Sequence, residues 1–242
     1  LDVIDDLKTV VKLNLDQIPI AALYDHLMGA YLSGVQEISV QSESPLTRNS
    51  RNDIRRFLRS TRGFEIGQET DSNVHLISLL NAGELPLHAS LNRMYLLFSS
   101  MIRDIYEVLI GSDDDLISDF EEREREADGL HYLIERQVGS MLDSQHVARS
   151  LGLSRKEGVE HANLARSLER MMDHAHEMAR LTLETAPRPR LKQDEYPLSL
   201  LPVCMEALKS LMINLRVHDP YQIEEARESL KAAQIALTEH EE

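Results

Sequence analysis

Two periodicities divide the chain. Up to about residue 82 the apolar positions alternate or recur in short runs, and beyond it they return every three or four residues over long stretches. Thr9 to Leu15 sets Val11, Leu13 and Leu15 on one side of an extended segment, and Glu37 to Gln41 reads as a second strand. Between them Ile18 to Leu32 is helical, with Leu23, Leu27, Ala30 and Tyr31 at core spacing and Gly34 as a stop. Ser44-Pro45 is expected to open a second helix that runs to about Thr61 and is closed by Gly63. Phe64 to Glu69 and Val74 to Leu80 read as two more strands, joined at the turn-forming Asp71-Ser72-Asn73. The order β-α-β-α-β-β describes a small α+β module over residues 1–82.

Asn81-Ala82-Gly83 marks the change to long amphipathic helices. Leu85 to Ile110 carries Leu87, Leu91, Met94, Phe98, Met101, Ile105 and Val108 on one stripe. Ser112-Asp113-Asp114-Asp115 is expected to cap a helix reaching Ser144, and Ser154 to open another reaching Glu184, where Pro187-Arg188-Pro189 ends it. Pro197 to Val217 and Tyr221 to Thr238 complete a set of five, separated by His218-Asp219-Pro220. Long helices with short connections predict a mainly α fold: an antiparallel helical bundle over residues 84–240, preceded by the α+β module. Met205, Met212 and Cys204 read as core residues of the fourth helix.

Charge narrows the functional classes. The chain has 242 residues and a net charge of −15, from 41 acidic against 26 basic side chains, which disfavours a general nucleic-acid surface. A single Cys precludes an internal disulfide framework and suits a cytoplasmic protein, and no stretch approaches a membrane-spanning length of apolar residues. The sequence lacks a P-loop, a Gly-x-Ser-x-Gly motif and paired cysteines. Against this acidic background the second helix bears Arg48, Arg51, Arg55, Arg59 and Arg62 on one face, with Arg56 beside it. The face is either solvated and paired locally or a docking surface, in which case Arg51, Arg55 and Arg59 are its candidate contacts.

The chemistry-bearing pattern is a repeat. Glu124-Arg-Glu-Ala-Asp128-Gly-Leu-His131 and Glu169-Arg-Met-Met-Asp173-His-Ala-His176 both read Glu-Arg-x-x-Asp-x-x-His. On a helix each copy projects Glu, Asp and His from successive turns of one side. In the first copy that side continues the stripe of Ile117, Phe120, Ile134, Val138 and Met141. In the second the triplet is offset by one residue from Leu164, Leu168, Met171, Ala175 and Met178, toward the bundle's edge. Burying carboxylates requires compensation. One reading is a metal site for iron, manganese, zinc or magnesium, with Glu124, Asp128, His131, Glu169, Asp173 and His176 as candidate ligands. The other is an ion-pair network with Arg123, Arg125, Arg166 and Arg170.

The acid pairs, within Leu168-Glu-Arg-Met-Met-Asp-His174 and Asp128-Gly-Leu-His-Tyr-Leu-Ile-Glu-Arg136, resemble the acid-x-x-x-Asp signatures of PhoU proteins. Tyr31-Leu-Ser-Gly34 and Gly63-Phe-Glu-Ile66 are similar to the middle region of archaeal-type PhoU regulators. The resemblance implies three-helix repeats, metal clusters at the acid motifs with Glu124, Asp128, Glu169 and Asp173 as ligands, and regulation of phosphate uptake. It also implies a homodimer that contacts a phosphate transporter or phosphate-sensing signalling proteins. DNA contact is expected only through an upstream AbrB/SpoVT-like module, for which a chain starting at Leu1 leaves room. The chain departs from the pattern at Glu225-Ala-Arg-Glu-Ser229, where Ser replaces Asp, so the second repeat is expected to be degenerate and incomplete. Two rival classes remain open. One is a carboxylate-bridged di-metal enzyme, disfavoured because His follows Asp here in place of a Glu-x-x-His arrangement. The other is a dimerisation module of a transcription regulator.

Overall fold

Strand alternation and helix capping account for the elements of the computed structural model, which describes residues 10–81, 83, 85–185 and 191–241. The first part contains strands β1 (Val10–Asn14), β2 (Glu37–Gln41), β3 (Phe64–Glu69) and β4 (Asn73–Ser78), and helices α1 (Leu23–Leu32) and α2 (Arg48–Ser60). The sheet order is β1-β2-β4-β3, with β1 and β2 parallel across the α1 crossover and the other pairs antiparallel. Register explains the alternation. Val11, Ile38, Leu76 and Ile66 form one row across the sheet, while Lys12, Ser39, His75 and Gln68 form a polar row on the other face. The apolar face packs on α1 and α2 through Leu23, Leu27, Ile54 and Phe57. Tyr31, Phe57 and Phe64 meet edge to face at centroid separations of 5.7–6.1 Å. Each such pair adds about 0.5–1.5 kcal/mol to simple burial.

The remaining helices are α3 (Leu87–Leu109), α4 (Phe120–Asp143), α5 (Gln145–Leu151), α6 (Arg155–Glu184), α7 (Leu200–Val217) and α8 (Pro220–Glu241). The chain is thus a mainly helical bundle with a small four-stranded sheet near its start. Among the described residues no helix is long and apolar enough to cross a membrane.

Two compact units divide these elements. The first joins the residues up to Leu91 with Arg125–Glu169. In it, Arg136 of α4 is only 4 % exposed and donates to the Tyr31 and Val35 carbonyls. Gly139 of α4 lies so close to α1 that a Cβ there would stand 3.2 Å from the Leu32 carbonyl oxygen. The second unit joins Asn92–Glu124 with Arg170–Glu242. Its buried set includes Met94, Phe98, Met101 and Ile105 of α3, Met172, Ala175 and Ala179 of α6, and Ala207 and Leu208 of α7. The apolar stripe read along α3 is buried throughout.

Several local readings change. The second helix begins at Arg48, after Thr47, whose side chain caps the Ser50 amide, because Leu46 is drawn into the core ahead of it. The aspartate run caps a short 3-10 turn, Asp114–Ile117, through Asp113, and α4 starts only at Phe120. The segment after Asp143 forms α5, closed by Gly152 in the left-handed region. Cys204, Met205 and Met212 are half-buried, and α7 turns Ala207, Leu208 and Asn214 inward instead. The Pro187–Pro189 stop lies outside the described residues.

Candidate metal centre

The centre stands on α4 and α6, each of which has a local reason to start where it does. Glu121 and Glu122 fill the first turn of α4, where negative charge complements the helix dipole. Ahead of α6, Ser154 and Glu157 form a reciprocal capping box: the Ser154 amide donates to Glu157 Oε2 at 2.7 Å and the Glu157 amide donates to Ser154 Oγ at 3.2 Å. The buried line along α6 is Ala165, Leu168, Met172, Ala175 and Ala179. The expected stripe through Leu164, Met171 and Met178 is therefore rotated, since those three are only half-buried. Small Ala side chains at the buried positions allow close helix packing.

This rotation sets the motif residues in different surroundings. Glu124 and Asp128, one turn apart on α4, are half-buried, and Asp173 on α6 is exposed. Glu124 and Asp173 belong to the second unit, and Asp128 follows Glu124 along the same continuous helix. One carboxylate oxygen from each of the three lies within 4.8 Å of the others. Oxygen ligands around a small octahedral cation sit about 3 to 4.2 Å apart for metal–oxygen bonds of about 2.1 Å. The trio is near that span, so its donor set fits a hard cation with water completing the shell.

Glu169, His131 and His176 are not part of this trio. Glu169 is half-buried on α6 and its charge acts on Arg166. His131 is buried, stacks on Tyr132 at 5.6 Å, and places Nε2 3.3 Å from Glu135 Oε1 without hydrogen-bond alignment. His176 packs against Phe120 at a ring separation of 4.8 Å. Ion pairs occur beside the motif as well. Arg123 bonds Asp104 at 2.6 Å and Asp119 at 2.8 Å, and against the burial that disfavours its charge these bonds hold its guanidinium above the ordinary value. Arg166 reaches Glu135 at 2.9 Å, and that bond likewise holds the guanidinium above its ordinary value.

The arginine helix splits into two sets. Arg51 pairs with Glu69 and donates to the Thr70 and Asp71 carbonyls at 3.2 Å. Arg56 stacks over the Tyr24 ring at 4.1 Å, and Arg62 lies 4.0 Å from Glu126. Arg48, Arg55 and Arg59 are exposed. The sequence placed Arg48, Arg51, Arg55, Arg59 and Arg62 on one face; what it did not separate is Arg51, engaged with Glu69, from the exposed Arg48, Arg55 and Arg59.

A helical bundle with converging carboxylates on neighbouring helices is the class of protein that this geometry defines. Residues 91–182, which run from α3 to the end of α6 and include the whole trio, match the family model described as the PhoU domain. Over these residues the chain is similar to the PhoU domain. No curated protein and no solved structure matches the chain.

Proposed function

We propose that this chain is a metal-binding regulator of phosphate uptake and of the phosphate-starvation response, acting through protein contacts. The observation that carries this reading is the convergence of Glu124, Asp128 and Asp173 inside the PhoU domain match. That family is regulatory and non-enzymatic. An all-oxygen donor set favours magnesium, manganese or iron over zinc, which takes nitrogen and sulfur more readily. The bound cation supplies positive charge between three carboxylates that otherwise repel one another. Glu169, His131 and His176 remain candidates for an outer role at the same site. The protein works in the cytoplasm as a homodimer, its partners being a phosphate transporter or phosphate-sensing signalling proteins. The absence of His from the trio supports this reading over a di-metal oxidase, whose helices supply Glu-x-x-His.

Thermal melting with and without chelator tests the metal reading. A cation that binds only the folded state stabilises it by about 2.7 kcal/mol at a hundredfold excess over its dissociation constant. Chelation is expected to lower the melting temperature and added manganese or iron to restore it, while Asp128→Asn with Asp173→Asn makes the melt indifferent to chelator. A chelator-insensitive melt of metal-free protein would remove the metal from this account.

A further inference from the structure

We infer that the exposed arginine stripe of α2 is a docking face for an acidic helical segment of another protein. Arg48, Asn52, Arg55 and Arg59 recur at intervals of four, three and four residues, so they form one row along the helix. All four are exposed, and the row spans about 16 Å at 1.5 Å per residue. The other arginines in this region are engaged with Glu69, the Tyr24 ring and Glu126. Among the described residues, Arg48, Arg55 and Arg59 have no carboxylate partner, in a chain with 41 acidic side chains against 26 basic ones. Like charges one turn apart, as at Arg55 and Arg59, are mildly destabilising in an isolated helix. An anionic partner removes that repulsion.

Thr47 caps α2, and Ile54 and Phe57 anchor its opposite side in the core of the first unit, so the helix that carries the row is formed and anchored before binding. Each guanidinium presents a planar fork that matches a carboxylate in bidentate fashion. A single straight row matches carboxylates repeated on one face of another helix. Duplex nucleic acid fits less well, because a narrow row neutralises few phosphates and the net charge of −15 opposes the approach of a polyanion. The inference does not depend on the metal reading, since α2 lies outside the PhoU domain match.

The test uses the whole chain with two synthetic peptides of identical composition, both stabilised as helices. One carries Glu at intervals of four, three and four residues on a single face; the other distributes the same Glu residues around the helix. By fluorescence anisotropy the striped peptide is expected to bind at least tenfold more tightly, with an affinity that falls as salt rises. The combined Arg48→Gln, Arg55→Gln and Arg59→Gln variant is expected to lose at least tenfold of that affinity while its melt and circular dichroism stay those of the parent. Equal binding of the two peptides, or unchanged binding by the variant, overturns the inference. So does a 20-base-pair duplex that binds more tightly than the striped peptide through the same arginines, which makes the face one for nucleic acid. A fall in sedimentation mass of the variant assigns the face to a second copy and also overturns it.

Discussion

Arg136 Nη1 donates a 2.6 Å hydrogen bond to the carbonyl of Tyr31, tying the middle of α4 to the last turn of α1. Nη2 of the same guanidinium reaches the Val35 carbonyl at 2.6 Å, and its carbon lies 4.9 Å from the Tyr31 ring centroid and 5.1 Å from that of Phe64. Burial pushes the Arg136 pKa down from its ordinary value, and the contacts just named are those of a buried cation held by carbonyls at the negative end of a helix and by aromatic faces. Arg136→Leu leaves the Val35 carbonyl without this donor, whereas the Tyr31 carbonyl keeps the Gly34 amide at 3.1 Å, so unfolding in urea is expected to show a loss of about 1–3 kcal/mol, the cost of one buried orphaned group. Arg136→Lys should recover little, because an ammonium lacks the fork that spans both carbonyls. A variant as stable as the parent would show that the clamp contributes nothing net.

Gly34 is constrained twice. Its φ is +83°, and a Cβ there would stand 2.7 Å from Ser140 Oγ. Gly34→Ala is expected to cost about 1–3 kcal/mol from backbone strain alone, with the contact adding to it. The double variant with Ser140→Ala should regain the contact part and keep the strain part. Comparing the three denaturation midpoints separates the two contributions, and an undiminished cost in the double variant would locate all of it in the backbone.

Alkaline stability should depend on Tyr31. Burial raises its phenol above the ordinary value, opposed by the hydrogen bond to the Arg62 backbone and by the charges of Arg136 and Arg62. The unfolded phenol ionises near about pH 10 and the folded one higher. The protonated phenol therefore contributes its full stability below about pH 10, and this is lost as pH rises through the folded pKa. Tyr31→Phe, which forgoes a bond worth about 0.5–1.5 kcal/mol, should flatten the fall in urea midpoint between pH 8 and pH 11. An equally steep fall in the variant would assign the alkaline transition to other groups.

The trio discriminates between the two glutamates of the repeated motif. Glu124→Gln removes one of the three converging carboxylates and is expected to weaken manganese binding at least tenfold by titration calorimetry. Glu169→Gln, on the same α6 face as Asp173 but outside the trio, should weaken it by less than threefold. Equal losses would return Glu169 to the coordination shell.

Spacing alone placed Glu124 and Asp128 on one side of α4, because a four-residue interval in a helix fixes their relation without reference to anything else. The bounds of β2 and β3 were likewise legible, though less from alternation than from flanking turn formers such as Gly34, Gly63 and Asp71-Ser72-Asn73, since burial takes three consecutive residues of β2 and only Phe64 of β3. The third carboxylate was a different matter. Which residue of α6 approaches α4 depends on the rotation of α6 about its own axis, and the packing of Leu168, Met172, Ala175 and Ala179 decides that. Methionine at 171, 172 and 178 made two rotations equally apolar in sequence. The clamp was still less visible. Arg136 lies 200° around α4 from Ile134, a side that amphipathic periodicity assigns to solvent. In the first unit α4 is instead buried on nearly all sides between Gly129 and Val138, because the sheet-and-helix module covers the face that the sequence marked as polar.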